Sequence, residues 1–176
     1  FFDLTWDGQD YHQEAVIQIH EGWNPVREPG TAEIPEGYHP LNNRGSVNQA
    51  WVRHYPKAAW YQAAAIMSVT NRVETGKAPN VILLVASNMF VFALVLAVVP
   101  LRARWAPVIA AVTALNPIVA TQWASYHIDG ALASSTIILF VSAAFCHVRP
   151  QLWWPCLATA VAAGALIIGM KFTGIV

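Results

Sequence analysis

Polar and apolar positions divide this chain into two parts. Residues 1–78 mix polar, aromatic, Pro and Gly positions, and four apolar runs follow at about 80–101, 106–122, 130–146 and 153–170. A membrane-spanning helix takes about 20 apolar residues, with a range of about 17–25. The first run exceeds that requirement and the other three meet its lower end, so the pattern predicts four transmembrane helices. Pro107 and Pro117 fall in the second run, where a membrane helix packed on neighbours tolerates them. Small residues in the third and fourth runs (Ala131, Ala133, Ser134, Ser135; Ala158, Ala160, Ala162, Ala163, Gly164) suit close helix–helix approach.

Two stretches of the polar part carry helical patterning. One covers about 9–21, with Tyr11, Ala15, Ile19 and Gly22 near one face and Asp7 or Asp10 placed to cap its start. The other covers about 56–73, with Pro56 suited to a first helical turn. Between them, 24–48 contains Pro25, Pro29, Pro35 and Pro40 with several Gly, and reads as an irregular loop. The expected fold is all-α: a polytopic transmembrane helical bundle (79–176) preceded by a loop with interfacial helices (1–78).

Composition agrees with a membrane protein. The chain is 56% hydrophobic and 11% charged, against about 25% charged in a soluble domain. Its net charge is zero, which removes the basic stripe that nucleic-acid binding needs. Cys146 and Cys156 lie in or beside apolar sequence and indicate neither a disulfide framework nor a metal site. The chain opens at Phe1-Phe2-Asp3 and stops at Gly174-Ile175-Val176. It reads as part of a longer membrane protein, without an earlier span and the portion downstream.

Charge then orients the spans. The turn at 102–105 holds Arg102 and Arg104, the turn at 147–152 holds His147 and Arg149, and neither holds an acid. The positive-inside rule puts both on the cytoplasmic side. Residues 1–78, the turn at 123–129 and Lys171 then share the opposite, extracytoplasmic face of an inner (plasma) membrane. Trp105, Trp123, Trp153 and Trp154 mark run ends, as interfacial aromatic belts do. Nine of the ten carboxylates lie in residues 3–74, and the tenth, Asp129, stands alone between two apolar runs. An isolated acid so near a bilayer is a functional candidate.

Three groups converge on that face: Trp6-Asp7-Gly8-Gln9-Asp10-Tyr11-His12, Arg53-His54-Tyr55-Pro56-Lys57 and Tyr126-His127-Ile128-Asp129-Gly130, with Lys171-Phe172-Thr173-Gly174 at the end of the last run. A carboxylate can take a proton from an attacking hydroxyl. A Lys or Arg can hold a departing phosphate. The combination suits a reaction on an anionic lipid head group.

These motifs resemble the GT-C fold, the membrane-embedded glycosyltransferases that use a dolichyl- or polyprenyl-phosphate-linked sugar, and within it the branch of protein O-mannosyltransferases and lipid A aminoarabinose transferase. In that family the first outer loop opens with an acid four residues before a Tyr, as Asp7 and Tyr11 do here. A later Lys precedes two prolines and an apolar helix; His54-Tyr55-Pro56-Lys57-Ala58-Ala59-Trp60-Tyr61 is similar but lacks the Pro pair. A second acid opens the fourth helix, matched by Asp129-Gly130-Ala131-Leu132. A Thr-Lys-Gly-Pro-like turn follows the fifth helix, and Met170-Lys171-Phe172-Thr173-Gly174 resembles it in a different order. The resemblance implies an inverting transfer from the lipid-linked donor to a glycan, lipid or protein acceptor. Asp7 would be the general base, with Asp129 orienting the acceptor and Asp10 as the alternative acid. Lys57, Arg53, His54, Lys171 and Tyr11 would bind substrate and phosphate. It implies no nucleotide sugar and no obligatory cofactor, although relatives in the wider fold hold a divalent metal between loop acids, which makes Asp7, Asp10 and Asp129 its candidate ligands.

Plainer roles compete for the same residues. Asp7, Asp10 and Asp129 could each cap a helix. Lys57 and Lys171 could snorkel to the interface. His12, His54 and His127 lack zinc-type spacing, which favours solvated or hydrogen-bonded imidazoles. Trp6, Trp23, Trp51 and Trp60 fit sugar stacking or interfacial anchoring equally. The rival functions are a transporter or flippase for a lipid-linked or anionic substrate, which would place ionisable groups within the spans, and a membrane scaffold without chemistry.

Overall fold

A computed structural model of the chain describes residues 2–27, 52 and 54–171. All regular structure among these residues is helical. A π-helical turn, Gly8–His12, runs into α1 (Gln13–His20). After the long intervening segment come α2 (Ala58–Thr70), a 3-10 turn (Val73–Lys77) and α3 (Ala78–Val98). A second 3-10 turn (Pro100–Trp105) leads to α4 (Ala106–Ala114) and α5 (Pro117–Gln122). Then α6 (Asp129–Val148), a short 3-10 turn (Pro150–Leu152) and α7 (Trp153–Met170) complete the described chain.

Three stretches are long and apolar enough to cross a membrane: Val73–Val98, Asp129–Val148 and Pro150–Met170. A helix rises 1.5 Å per residue, so 20 residues cover a hydrocarbon core of about 30 Å. Their outward faces are apolar, with Ile82, Val85 and Met89 exposed on α3 and Leu157, Val161 and Ile168 on α7. In a soluble protein such faces would be an aggregation hazard; against acyl chains they are satisfied.

The second apolar run departs from the expected continuous span. It is interrupted at Leu115 and Asn116, leaving helices of nine and six residues. Pro117 explains the break, because it supplies no N–H to the preceding turn and its ring disfavours α geometry at the residue before it. Asn116 adopts extended backbone and its side chain accepts from the Val119 N–H at 3.1 Å. The pair therefore ends one helix and caps the next.

Packing centres on α6, which contacts α3, α5 and α7. Its buried face is built from small residues: Gly130, Ala131, Ser134, Ser135 and Ser142, with Ile138 and Val141. These let backbones approach closely, as the sequence pattern predicts. Val91, Ala110 and Val141 join α3, α4 and α6, with Phe90, Ile137 and Phe145 around them.

A second core lies at the polar end. Tyr11, Ala15, Val16, Val52, Trp60, Ala63, Ala64 and Tyr126 are buried together. It holds α1 and α2 against each other and over the ends of α3 and α7. The helix expected from Pro56 instead begins at Ala58, with Lys57 at its N-cap, and ends at Asn71, whose positive φ of 54° closes it in a left-handed turn. Where α2 meets α7, a Cβ on Gly169 would lie 2.7 Å from the Ala58 Cβ, so glycine is what permits the contact.

Candidate functional site

The acid-rich opening folds around a widened turn. The Gln13 N–H donates to the Gly8 carbonyl, a spacing of five residues instead of four. Such π turns are rare and concentrate at functional sites. This one buries two neighbours, Tyr11 and His12, against α2. Asp7 precedes it without a side-chain cap hydrogen bond among the described residues. The capping role is therefore not what the carboxylate does here. Its charge is felt by Tyr11: burial raises the phenol's pKa first, and the carboxylates of Asp7 and Asp129 and a hydrogen bond with Tyr55 add to it. One phenol thus lies within electrostatic reach of both acids, which stand far apart in sequence.

His12 is the centre of an aromatic box. It is 2% exposed, and its Nδ1 accepts from the Trp60 indole N–H at 2.8 Å. The proton of the neutral ring therefore sits on Nε2. Tyr55 meets the imidazole edge-on with centroids 5.6 Å apart and stacks against Trp60 at 5.9 Å. The His127 ring lies 6.3 Å away. Burial, then the neighbouring His127, lowers the His12 pKa to about 3, so the ring is neutral at physiological pH. Lys57 borders the box, with Nζ 5.0 Å from the Trp60 ring centroid and a hydrogen bond to the Tyr55 carbonyl. Burial lowers its pKa to about 8, which still leaves most of it charged at pH 7. It is a partly dehydrated cation, suited to an anionic group.

The turn between α5 and α6 is fastened from three sides. Asp3, 3% exposed, accepts the Tyr126 N–H at 2.6 Å through Oδ2, and the Thr5 N–H and hydroxyl at 2.9 and 2.6 Å through Oδ1. The Tyr126 hydroxyl donates to the Val73 carbonyl. The Asn80 amide on α3 donates to the Ser125 and His127 carbonyls, both at 2.9 Å. These contacts fix the place where α6, and with it Asp129, begins. Asn80→Leu removes the amide and strands two carbonyls, at a cost of about 1–3 kcal/mol for each left buried and unpaired. Hydrogen exchange is expected to accelerate at residues 123–130 in that variant while the middle of α6 stays protected. Unchanged exchange in the turn would show that Asn80 does not hold it.

Asp129 is the first residue of α6, one position past the N-cap Ile128, so it does not occupy the capping position. Its Oδ1 instead accepts from the Lys171 Nζ at 2.5 Å. The antiparallel packing of α6 and α7 creates this pair. It brings the acid at the positive end of one helix dipole beside the Lys at the negative end of the other, and each end favours the charge it receives. The hydrogen bond to Asp129 raises the Lys171 pKa against the lowering effect of burial.

The other residues expected at the site are distributed differently. Asp10 faces along α1, where its charge adds to burial in raising the Glu14 pKa; Glu14 in turn accepts from Gln18 at 3.0 Å. His54 is exposed. Arg53 lies outside the described residues. Among the described residues no group of three His, Cys, Asp or Glu side chains is placed to hold a metal ion. Sequence reading overlooked Asp3 as a fastener, the Asp129–Lys171 pair and the buried state of His12. Only the pairing of a lone acid with a lone Lys at two facing helix ends offered a signal. No family model, curated protein or solved structure matches this chain.

Proposed function

We propose that this polar face transfers a sugar from a polyprenyl-phosphate-linked donor to an extracytoplasmic acceptor. The observations that carry the reading are that Tyr11 lies within electrostatic reach of two carboxylates from separate segments, Asp7 and Asp129, that Asp129 pairs with Lys171, and that Lys57 borders the same aromatic box at Trp60. Asp7 takes the proton of the acceptor hydroxyl as that oxygen attacks the anomeric carbon. The bond to the phosphate oxygen breaks on the opposite face, with inversion, and the lipid phosphate leaves with the electron pair. Lys57 and Lys171 balance its charge. The aromatic box of Tyr11, Tyr55 and Trp60 keeps water from the proton-transfer path and offers flat apolar surface to a sugar ring.

The transport reading is weaker on the same residues. The three long apolar stretches carry their ionisable groups at or near their ends, as with Glu74, Lys77, Asp129 and His147. A transporter path needs such groups at mid-depth. The test is direct: the full-length protein in liposomes, supplied with a polyprenyl-phosphate sugar, is expected to release free polyprenyl phosphate in step with acceptor glycosylation. Movement of intact donor between leaflets without release would favour the flippase instead.

A further inference from the structure

We infer that the Asp129–Lys171 ion pair is an exchangeable latch: an arriving phosphate ester takes Lys171 from Asp129 and leaves that carboxylate open to the acceptor. The inference rests on the reading of this face as a lipid-phosphate site, and adds to it how the site changes on binding.

Three features support the exchange. The pair is only half-buried, with side chains 32% and 39% exposed. A pair so exposed contributes little to stability, because water already solvates both charges; opening it therefore costs little. The pair is also made by residues at the two ends of a hairpin, each supported by its own helix terminus. Finally, an Asp bonded at 2.5 Å to an ammonium has one oxygen committed and closed to another donor. A phosphate oxygen is an equivalent acceptor for the ammonium and carries its own charge into a neighbourhood where Lys57 is already partly dehydrated. Binding of the anion and release of Asp129 are then one event, so the carboxylate becomes available only when the leaving phosphate is in place.

The idea makes a prediction of unusual sign. Asp129→Asn removes the competitor for Lys171 and is expected to tighten binding of polyprenyl monophosphate by about two- to fivefold. Lys171→Gln is expected to weaken it, and in the Lys171→Gln background the Asp129→Asn effect is expected to vanish. Affinity is measured for the full-length protein in nanodiscs containing polyprenyl monophosphate, with polyprenol as the uncharged lipid and inorganic phosphate as the free anion. Tightening with the phosphorylated lipid alone supports exchange driven by a lipid head group. Tightening with inorganic phosphate as well supports exchange with the anion by itself. Weaker or unchanged binding by Asp129→Asn, or an equal shift for polyprenol, overturns the latch. Should the Asn variant fold poorly, Asp129→Ser tests the same sign. Binding is read without sugar transfer, so a protein that shows the exchange yet transfers no sugar would refute the transferase reading and leave the latch standing.

Discussion

Asp7→Asn is expected to reduce sugar transfer by about 10²- to 10⁴-fold, the usual contribution of a positioned general base, without loss of the folded protein. The substitution keeps the shape of the side chain and removes its basicity. Little structure depends on the carboxylate: it is half-exposed and does not cap the turn that follows. Turnover of lipid-linked donor, measured alongside thermal unfolding in detergent, separates the two effects. A variant with wild-type turnover would sink the base assignment, and one that merely unfolds would show Asp7 to be structural. Asp10→Asn is the control. Its charge acts on Glu14 and is not among those acting on Tyr11, so transfer is expected to change less than about threefold.

The parts of this molecule that were legible in its sequence are those governed by local rules. Apolar runs and their lengths identified α3, α6 and α7, because hydrocarbon thickness sets a requirement that composition alone can meet. The stripe of small residues from Ala131 to Ser135 correctly marked the buried face of α6. The interruption at Asn116 was misread through its proline. Tolerance of Pro117 depends on neighbours that satisfy freed backbone groups, whereas an Asn immediately before a Pro supplies a ready start for a new helix. At the site, Asp129 stood out because acids are scarce in apolar sequence, whereas Asp7 and Tyr11 were singled out by the four-residue spacing of the resemblance. Their arrangement was not legible. A π turn has no compositional mark, and it sets which of Asp7 and Asp10 stands near Tyr11. The partner of Asp129 is 42 residues away, and only the antiparallel packing of two helices brings it near. Asp3 looked like one more charge in a polar segment, yet tertiary contact with the Tyr126 backbone makes it a buried fastener.

Trp60→Ala is expected to have the largest effect on stability, about 3–5 kcal/mol, the range for deleting a buried aromatic side chain. Trp60 is 1% exposed at the centre of the polar-end core, so its removal leaves a cavity between the π turn, α2 and Tyr55. It also strands the His12 Nδ1 acceptor. Trp60→Phe shifts the balance between the two losses, because it keeps a six-membered aromatic ring in the core, and so leaves a smaller cavity, while removing the indole donor; about 1–3 kcal/mol is expected for that hydrogen bond. The pH dependence carries a further sign. The folded-state pKa of His12 is depressed to about 3 by burial and the nearby His127, below its ordinary value near 6.5. The unfolded chain therefore binds more protons between those values, and the native state loses stability as pH falls through that window. In Trp60→Ala water reaches the imidazole, its pKa returns toward the ordinary value, and that loss shrinks. The gap in unfolding temperature between wild type and Trp60→Ala is accordingly expected to be widest at pH 7.5 and narrower at pH 5. In Trp60→Phe, which stays dry, the gap should remain nearly constant. A constant gap for both variants would show that burial beneath Trp60 does not keep His12 neutral.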